Sequence, residues 1–157
     1  MSKDKKNICN DISIVMQGPL SAASIESVAK NCKIWRDILP ESEIILSISQ
    51  TNDFEVVDEI KIINKKNIFI ANDAINVINN VCNWIIISPS IEILPKIKKD
   101  SSGKNNINCQ IKSSFLGLKK ATKSYAIKIR LDMVFQDTNF IDFYLENNYI
   151  PRGKRKC

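Results

Sequence analysis

Short apolar runs alternate along this chain with segments whose apolar residues recur every three or four positions. Residues 12–16 (ISIVM) form a β-branched apolar run closed by Gln17, Gly18 and Pro19. That pattern predicts a buried strand followed by a tight turn. Residues 24–38 carry Ile25, Val28, Cys32 and Trp35 at helical spacing, continued by Leu39, and Pro40 stops the helix. Residues 43–49 (EIILSIS) predict a second buried strand. Residues 53–63 hold Val56, Val57, Ile60 and Ile63, the pattern of an amphipathic helix with Asn52 or Asp53 as its cap. A third strand is predicted over 67–71, a short helix over 74–81 and another strand over 83–88. Residues 91–97 fit a strand or irregular chain, and 98–105 (KKDSSGKN) have the composition of a loop.

The strongest helical pattern covers 107–122. Ile111, Phe115 and Leu118 make an apolar stripe, and Gln110, Ser114 and Gly117 make a neighbouring stripe of smaller or polar side chains. Gly117 there suggests close helix packing. A strand over 124–131 follows, and a last helix over 139–146. Strands alternating with helices imply an α/β fold, a mostly parallel sheet flanked by helices. The expected organisation is a polar segment at 1–10, one domain over 11–150 and a basic tail at 151–157.

In such sheets the ligand crevice lies beyond the carboxyl ends of the strands. Two strand ends stand out. Gln17-Gly18-Pro19 offers an amide and a residue without a Cβ, so that backbone and ligand can approach closely. Lys128, Arg130 and Asp132 alternate at the end of the 124–131 strand and therefore leave the sheet on one side. Arg130 is suited to bidentate phosphate binding, Lys128 to acting as a point charge, and Asp132 to a divalent cation shared with substrate phosphates. Taken alone, the first element reads more plainly as a turn, and the second reads equally as an ion-paired cluster.

Composition narrows the chemistry. The chain has 157 residues, enough for one domain with a real core. It has no histidine, which excludes Ser-His and Cys-His nucleophilic pairs and histidine-ligated metals within the chain. Four glycines leave little room for a long phosphate loop. The net charge of +6 favours anionic partners, but the lysines are scattered and no aromatic-interleaved basic stripe points to nucleic acid. The five cysteines form no C-x-x-C pair and fit free thiols in a reducing cytoplasm; Cys82 and Cys109 read as small hydrophobes. The start of the chain lacks a signal-peptide pattern, and no apolar run is long enough to span a bilayer. A cytoplasmic location is expected, and contact with a membrane surface is compatible with it.

Separated blocks over about residues 11–135 resemble a known family: DISIVMQGPL at 11–20, EIILS at 43–47, NINCQ at 106–110, GLKKA at 117–121 and YAIKIRLD at 125–132. They look like the WavE-type lipopolysaccharide synthesis family, whose members are glycosyltransferase-like. The resemblance implies a Rossmann-like A-type glycosyltransferase fold that binds a nucleotide-sugar donor and transfers the sugar to an acceptor hydroxyl. Gln17, Gly18 and Pro19 would border the nucleoside, and Lys128, Arg130 and Asp132 would face ribose, diphosphate or a Mg or Mn ion held at Asp132. Gln110 and Ser114 would line the crevice from their helix. The implied acceptor is a saccharide or lipid-linked saccharide, at the inner face of the cytoplasmic membrane, with no nucleic acid involved. The chain departs from the family pattern in three ways. Arg130-Leu131-Asp132 keeps one carboxylate where an Asp-x-Asp element has two, Cys109 stands where the family has Arg, and 69–98 reads as an insertion. The early stop after Asp132 leads to the expectation of an N-terminal portion, incomplete at its C-terminus. The competing expectation is a truncated, catalytically inert remnant. A sugar-nucleotide nucleotidyltransferase ranks lower, because MQGPLSAAS lacks the Gly-rich basic segment such enzymes need.

Overall fold

β1 runs on past its apolar letters. It spans Ile12–Pro19, so Gln17, Gly18 and Pro19 are its last three residues rather than a turn beyond it. The reason is pairing on both sides: Gln17 lies in register with Ser47 on one neighbour and Arg130 on the other, and Pro19 with Ser49. The computed structural model describes residues 3–49, 53–65, 71–89, 91 and 105–147. Within them follow α1 (Lys3–Asn10), α2 (Ile25–Ile38), β2 (Glu43–Ser49), β3 (Phe54–Val57) and β4 (Lys61–Asn64). Then come α3 (Ala71–Val81), β5 (Trp84–Ser88), α4 (Ile107–Lys120), β6 (Tyr125–Arg130) and α5 (Asn139–Asn147).

Four strands make one parallel sheet in the order β5-β2-β1-β6. The chain steps outward from β1 to β2 and β5, then returns through α4 to place β6 on the other side of β1. The fold is therefore α/β and Rossmann-like, and its topological switch point lies between β1 and β6.

The two sheet faces differ in chemistry. Ile12, Ile14, Met16, Ile44, Leu46, Ile48 and Ile85 turn to the side carrying α2 and α3, where they join Ile25, Val28, Cys32, Trp35 and Ile78 in the main core. On the other face Val15, Ile45 and Ile86 are the apolar centre beneath α4. The same face carries Ser13, Gln17, Glu43 and Ser47, all buried. Cys82 sits in the main core with its Sγ 3.7 Å from that of Cys32, and this contact together with burial pushes its thiol well above the ordinary range. It is an inert packing group.

Three further features refine the sequence pattern. Residues 53–63 form no helix but an antiparallel hairpin, β3 paired with β4, turning through Asp58 and Glu59 at positive φ. Val56, Val57, Ile62 and Ile63 are β-branched, and alternation puts Phe54 and Ile62 fully in the core with Glu55 and Lys61 outside. Asn79 of α3 clamps this hairpin, accepting from Ile62 N at 2.8 Å and donating to Ile62 O at 3.1 Å. Second, α4 packs by its small side, as Gly117 suggested. Ser113 and Gly117 are buried against the sheet, whereas Ile111, Phe115 and Leu118 are exposed. A Cβ on Gly117 would stand 2.4 Å from Val15 Cγ1, so this helix lies too close to the sheet for larger residues. Third, residues 3–10 of the polar segment are helical, and Lys5 holds Asp142 of α5 at 2.6 Å. Most of the strands expected at 67–71 and 91–97, the loop at 98–105 and the tail at 151–157 lie outside the described residues. Ala71 begins α3. Among the described residues no helix is long and apolar enough to cross a membrane.

Candidate functional site

A parallel sheet ends in a row of backbone groups at its carboxyl edge, and where the winding reverses the flanking helices diverge and leave a crevice. Here that crevice is a cleft of about 450 Å³ between the ends of β1 and β6, the size of a small-ligand site. Gln17, Gly18 and Pro19 form its β1 wall, and Arg130, Leu131 and Asp132 its β6 wall. The first turn of α2 supplies Ser24, Ser27 and Val28, and the start of α4 supplies Asn106 and Gln110. Two helix N-termini therefore meet two strand ends.

Local bonds hold this edge in place. Leu131 N donates to Gln17 O at 3.0 Å, extending the β1–β6 ladder past the end of β6. Asn31 of α2 donates from Nδ2 to Leu131 O at 2.8 Å in a buried contact. Gly18 has φ +152°, a conformation that favours glycine, and the Leu131 side chain packs over it. Gln17 is only 2% exposed. Its Oε1 lies 3.1 Å from Ser113 Oγ, while its Nε2 has no hydrogen-bond partner among the described residues. Ser113 is itself fixed, since its carbonyl accepts from Ser47 Oγ at 2.7 Å.

Arg130 and Asp132 are paired to each other. Arg130 Nε and Nη2 donate to Asp132 Oδ1 and Oδ2 at 2.9 and 2.7 Å. Their side chains are 65% and 62% exposed. The guanidinium holds the Asp132 carboxyl below its usual range, and the carboxylate raises Arg130 in turn. In this arrangement both Asp132 oxygens are engaged by the Arg130 guanidinium. Among the described residues no group of three cysteine or acidic side chains gathers as a metal cage.

Of the residues singled out in the sequence, the structure brings Gln17, Gly18, Pro19, Gln110, Arg130 and Asp132 to this cleft. Lys128 and Ser114 lie outside its lining. Lys128 is exposed one strand repeat back from the edge, in register with Val15. Ser114 is half-buried on the flank of α4, and it is Ser113 that contacts Gln17. Sequence reasoning missed Ser24, Ser27, Val28 and Asn106. The signal was present: a helix that follows a strand directly in a parallel α/β sheet begins at the carboxyl edge.

Fold and cleft together define a Rossmann-like α/β protein with a polar crevice at its switch point. No family model, no curated protein and no solved structure matches this chain at a significant level.

Proposed function

We propose that this chain is the nucleotide-sugar-binding part of a glycosyltransferase of bacterial lipopolysaccharide or surface-polysaccharide synthesis. One observation supports the reading above others. Six residues chosen for nucleotide-sugar contact, from three separate segments, line one cleft at the edge where such folds bind nucleotides. In this reading Gln17, Gly18 and Pro19 border the nucleoside, Arg130 meets the diphosphate and Asp132 accepts from ribose hydroxyls. The acceptor, a saccharide or lipid-linked saccharide, attacks the anomeric carbon through a hydroxyl as the bond to the diphosphate breaks. Arg130 and the first turn of α2 stabilise the charge that develops on the leaving group.

A second reading is a donor-binding module without transfer activity. It is favoured by the cleft lining, in which Asp132 is the only carboxylate among the described residues and is already bound by Arg130. Calorimetric titration with a panel of nucleoside diphosphates and their sugar esters tests binding, and chromatography of products from a bound donor tests transfer. We expect at least one nucleoside diphosphate to bind and Arg130→Ala to weaken it about tenfold, the loss of a charge-assisted hydrogen bond on a partly wet site. A folded sample that binds none of the panel overturns the donor-site reading. Binding without sugar release or transfer selects the second.

A further inference from the structure

We infer that the cleft takes the phosphate or diphosphate of its ligand without a divalent cation, by an exchange of partners at the Arg130–Asp132 pair. This deepens the donor-site reading and rests on it. An exposed ion pair between neighbouring positions on one chain is weak, because water and salt screen it. An incoming phosphate offers Arg130 the same bidentate geometry with more negative charge, so the guanidinium can leave Asp132 for it. A bare divalent ion finds both Asp132 oxygens already bonded to the guanidinium, so the exchange begins with the phosphate rather than with a metal.

The rest of the cleft is arranged for an anion. The α2 helix begins at its wall and has no side-chain cap. Its N-cap residue, Ser24, commits its hydroxyl to Ser21, accepting from Ser21 N at 3.0 Å and donating to Ser21 O at 3.2 Å. In the first turn Ile25 N donates to Ser21 O at 3.1 Å and Val28 N to Ser24 O at 3.0 Å, which leaves the N–H groups of Glu26 and Ser27, with the positive end of the helix dipole behind them. Gln17 adds a donor from a separate element at the same wall. It is 98% buried by its 2% exposure, lines the cleft and keeps its Nε2 without an acceptor. The Nε2 atom itself keeps access to solvent, since among the described residues Trp35 Nε1 is the buried side-chain polar atom left without a partner, so Gln17 offers the cleft an open donor. Phosphate oxygens would satisfy Arg130, the α2 turn and Gln17 together. Asp132, released, is then an acceptor for a hydroxyl pair such as a ribose diol.

The exchange makes a prediction of opposite sign for the two partners. Inorganic pyrophosphate carries no diol, so toward it Asp132 is only a competitor for Arg130 and a repelling charge. We therefore expect calorimetry in excess EDTA to show pyrophosphate binding to the wild-type chain. Asp132→Asn should tighten that binding several-fold, on the order of 3–10 times, and Arg130→Gln should weaken it about tenfold. Both side chains are exposed, and equal thermal midpoints would show that the variants fold. Asp132→Asn weakening pyrophosphate overturns the exchange. Nucleotide-sugar binding that appears only with Mg²⁺ or Mn²⁺ overturns the inference but leaves the donor site standing. Absence of binding by any phosphate ligand, with or without metal, overturns both.

Discussion

Two buried residues on the α4 face of the sheet show how single side chains set the terms for everything above them. Gly117 is one. A methyl group there would stand 2.4 Å from Val15 Cγ1 and 3.0 Å from Ser47 Cβ, so α4 would have to lift. Gly117→Ala should lower stability by about 1–3 kcal/mol, as overpacked cores do, despite the better helix propensity of alanine. Denaturant unfolding measures this, and a neutral result would mean that α4 rides loosely on the sheet. Glu43 is the other. Its carboxylate is buried and forms no ion pair among the described residues, and it accepts from Ser13 Oγ, Thr122 N, Thr122 Oγ1 and Trp84 Nε1. Burial pushes its pKa up, but the four hydrogen bonds outweigh that and hold it below the ordinary value of 4.5. A carboxyl with a folded-state pKa below its unfolded one stabilises the fold fully above the unfolded value. That contribution is lost as pH falls from about 4.5 toward the folded value. Glu43→Gln should remove this component, so that the variant's stability falls less steeply than the wild type's over the same acid range.

At the scale of elements, the contrast between α2 and the β3–β4 hairpin shows where pattern suffices. The α2 pattern was decisive because its apolar stripe meets an apolar sheet face and Pro40 closes it. The segment at 53–63 carried Val56, Ile60 and Ile63 at spacings that fit a helix, yet it pairs with itself as a hairpin, held by Asn79 of α3 and by Ile85 N of β5 on the Glu59 carbonyl. That clamp is testable. Asn79→Ala leaves the amide and carbonyl of Ile62 without their partners and should cost about 1–3 kcal/mol. Hydrogen exchange should show the Ile62 amide opening faster while Val15 and Leu46 keep their protection. Uniform loss of protection would mean that the hairpin and the sheet unfold as one unit. The α4 helix was legible as a helix, and Gly117 already pointed to its close-packed face. The apolar stripe Ile111, Phe115 and Leu118 is exposed, whereas Ser113 and Gly117 are buried where the helix approaches Val15 and Ser47, with Leu116 packed beside them.

In the molecule as a whole, the cleft depends on contacts between segments a hundred residues apart. Asn31 reaches across from α2 to the Leu131 carbonyl and ties the end of β6 to the helix that opens the cleft. Asn31→Ala should destabilise the fold by about 1–3 kcal/mol, because that buried carbonyl loses its donor. It should also weaken nucleoside-diphosphate binding, although Asn31 is not among the cleft-lining residues. Calorimetry on the folded variant checks the second effect, and unchanged affinity would show that β6 holds Arg130 and Asp132 in place without help.

What the sequence determined by itself was the alternation of strands and helices, because burial on a sheet and on a helix imposes periods that can be read directly from the apolar positions. It also marked both cleft walls, since a Gln-Gly-Pro strand end and a charged strand end are poor core and demand another use. The tertiary structure alone decided which residues share the crevice. Strand order brought Gln17 beside Arg130, and α4 turned Ser113 rather than Ser114 toward Gln17. The pairing of Arg130 with Asp132 likewise emerged only in three dimensions. Two charges at alternate positions are equally ready to bind a ligand, a metal or each other, and local pattern carries no distance by which to choose.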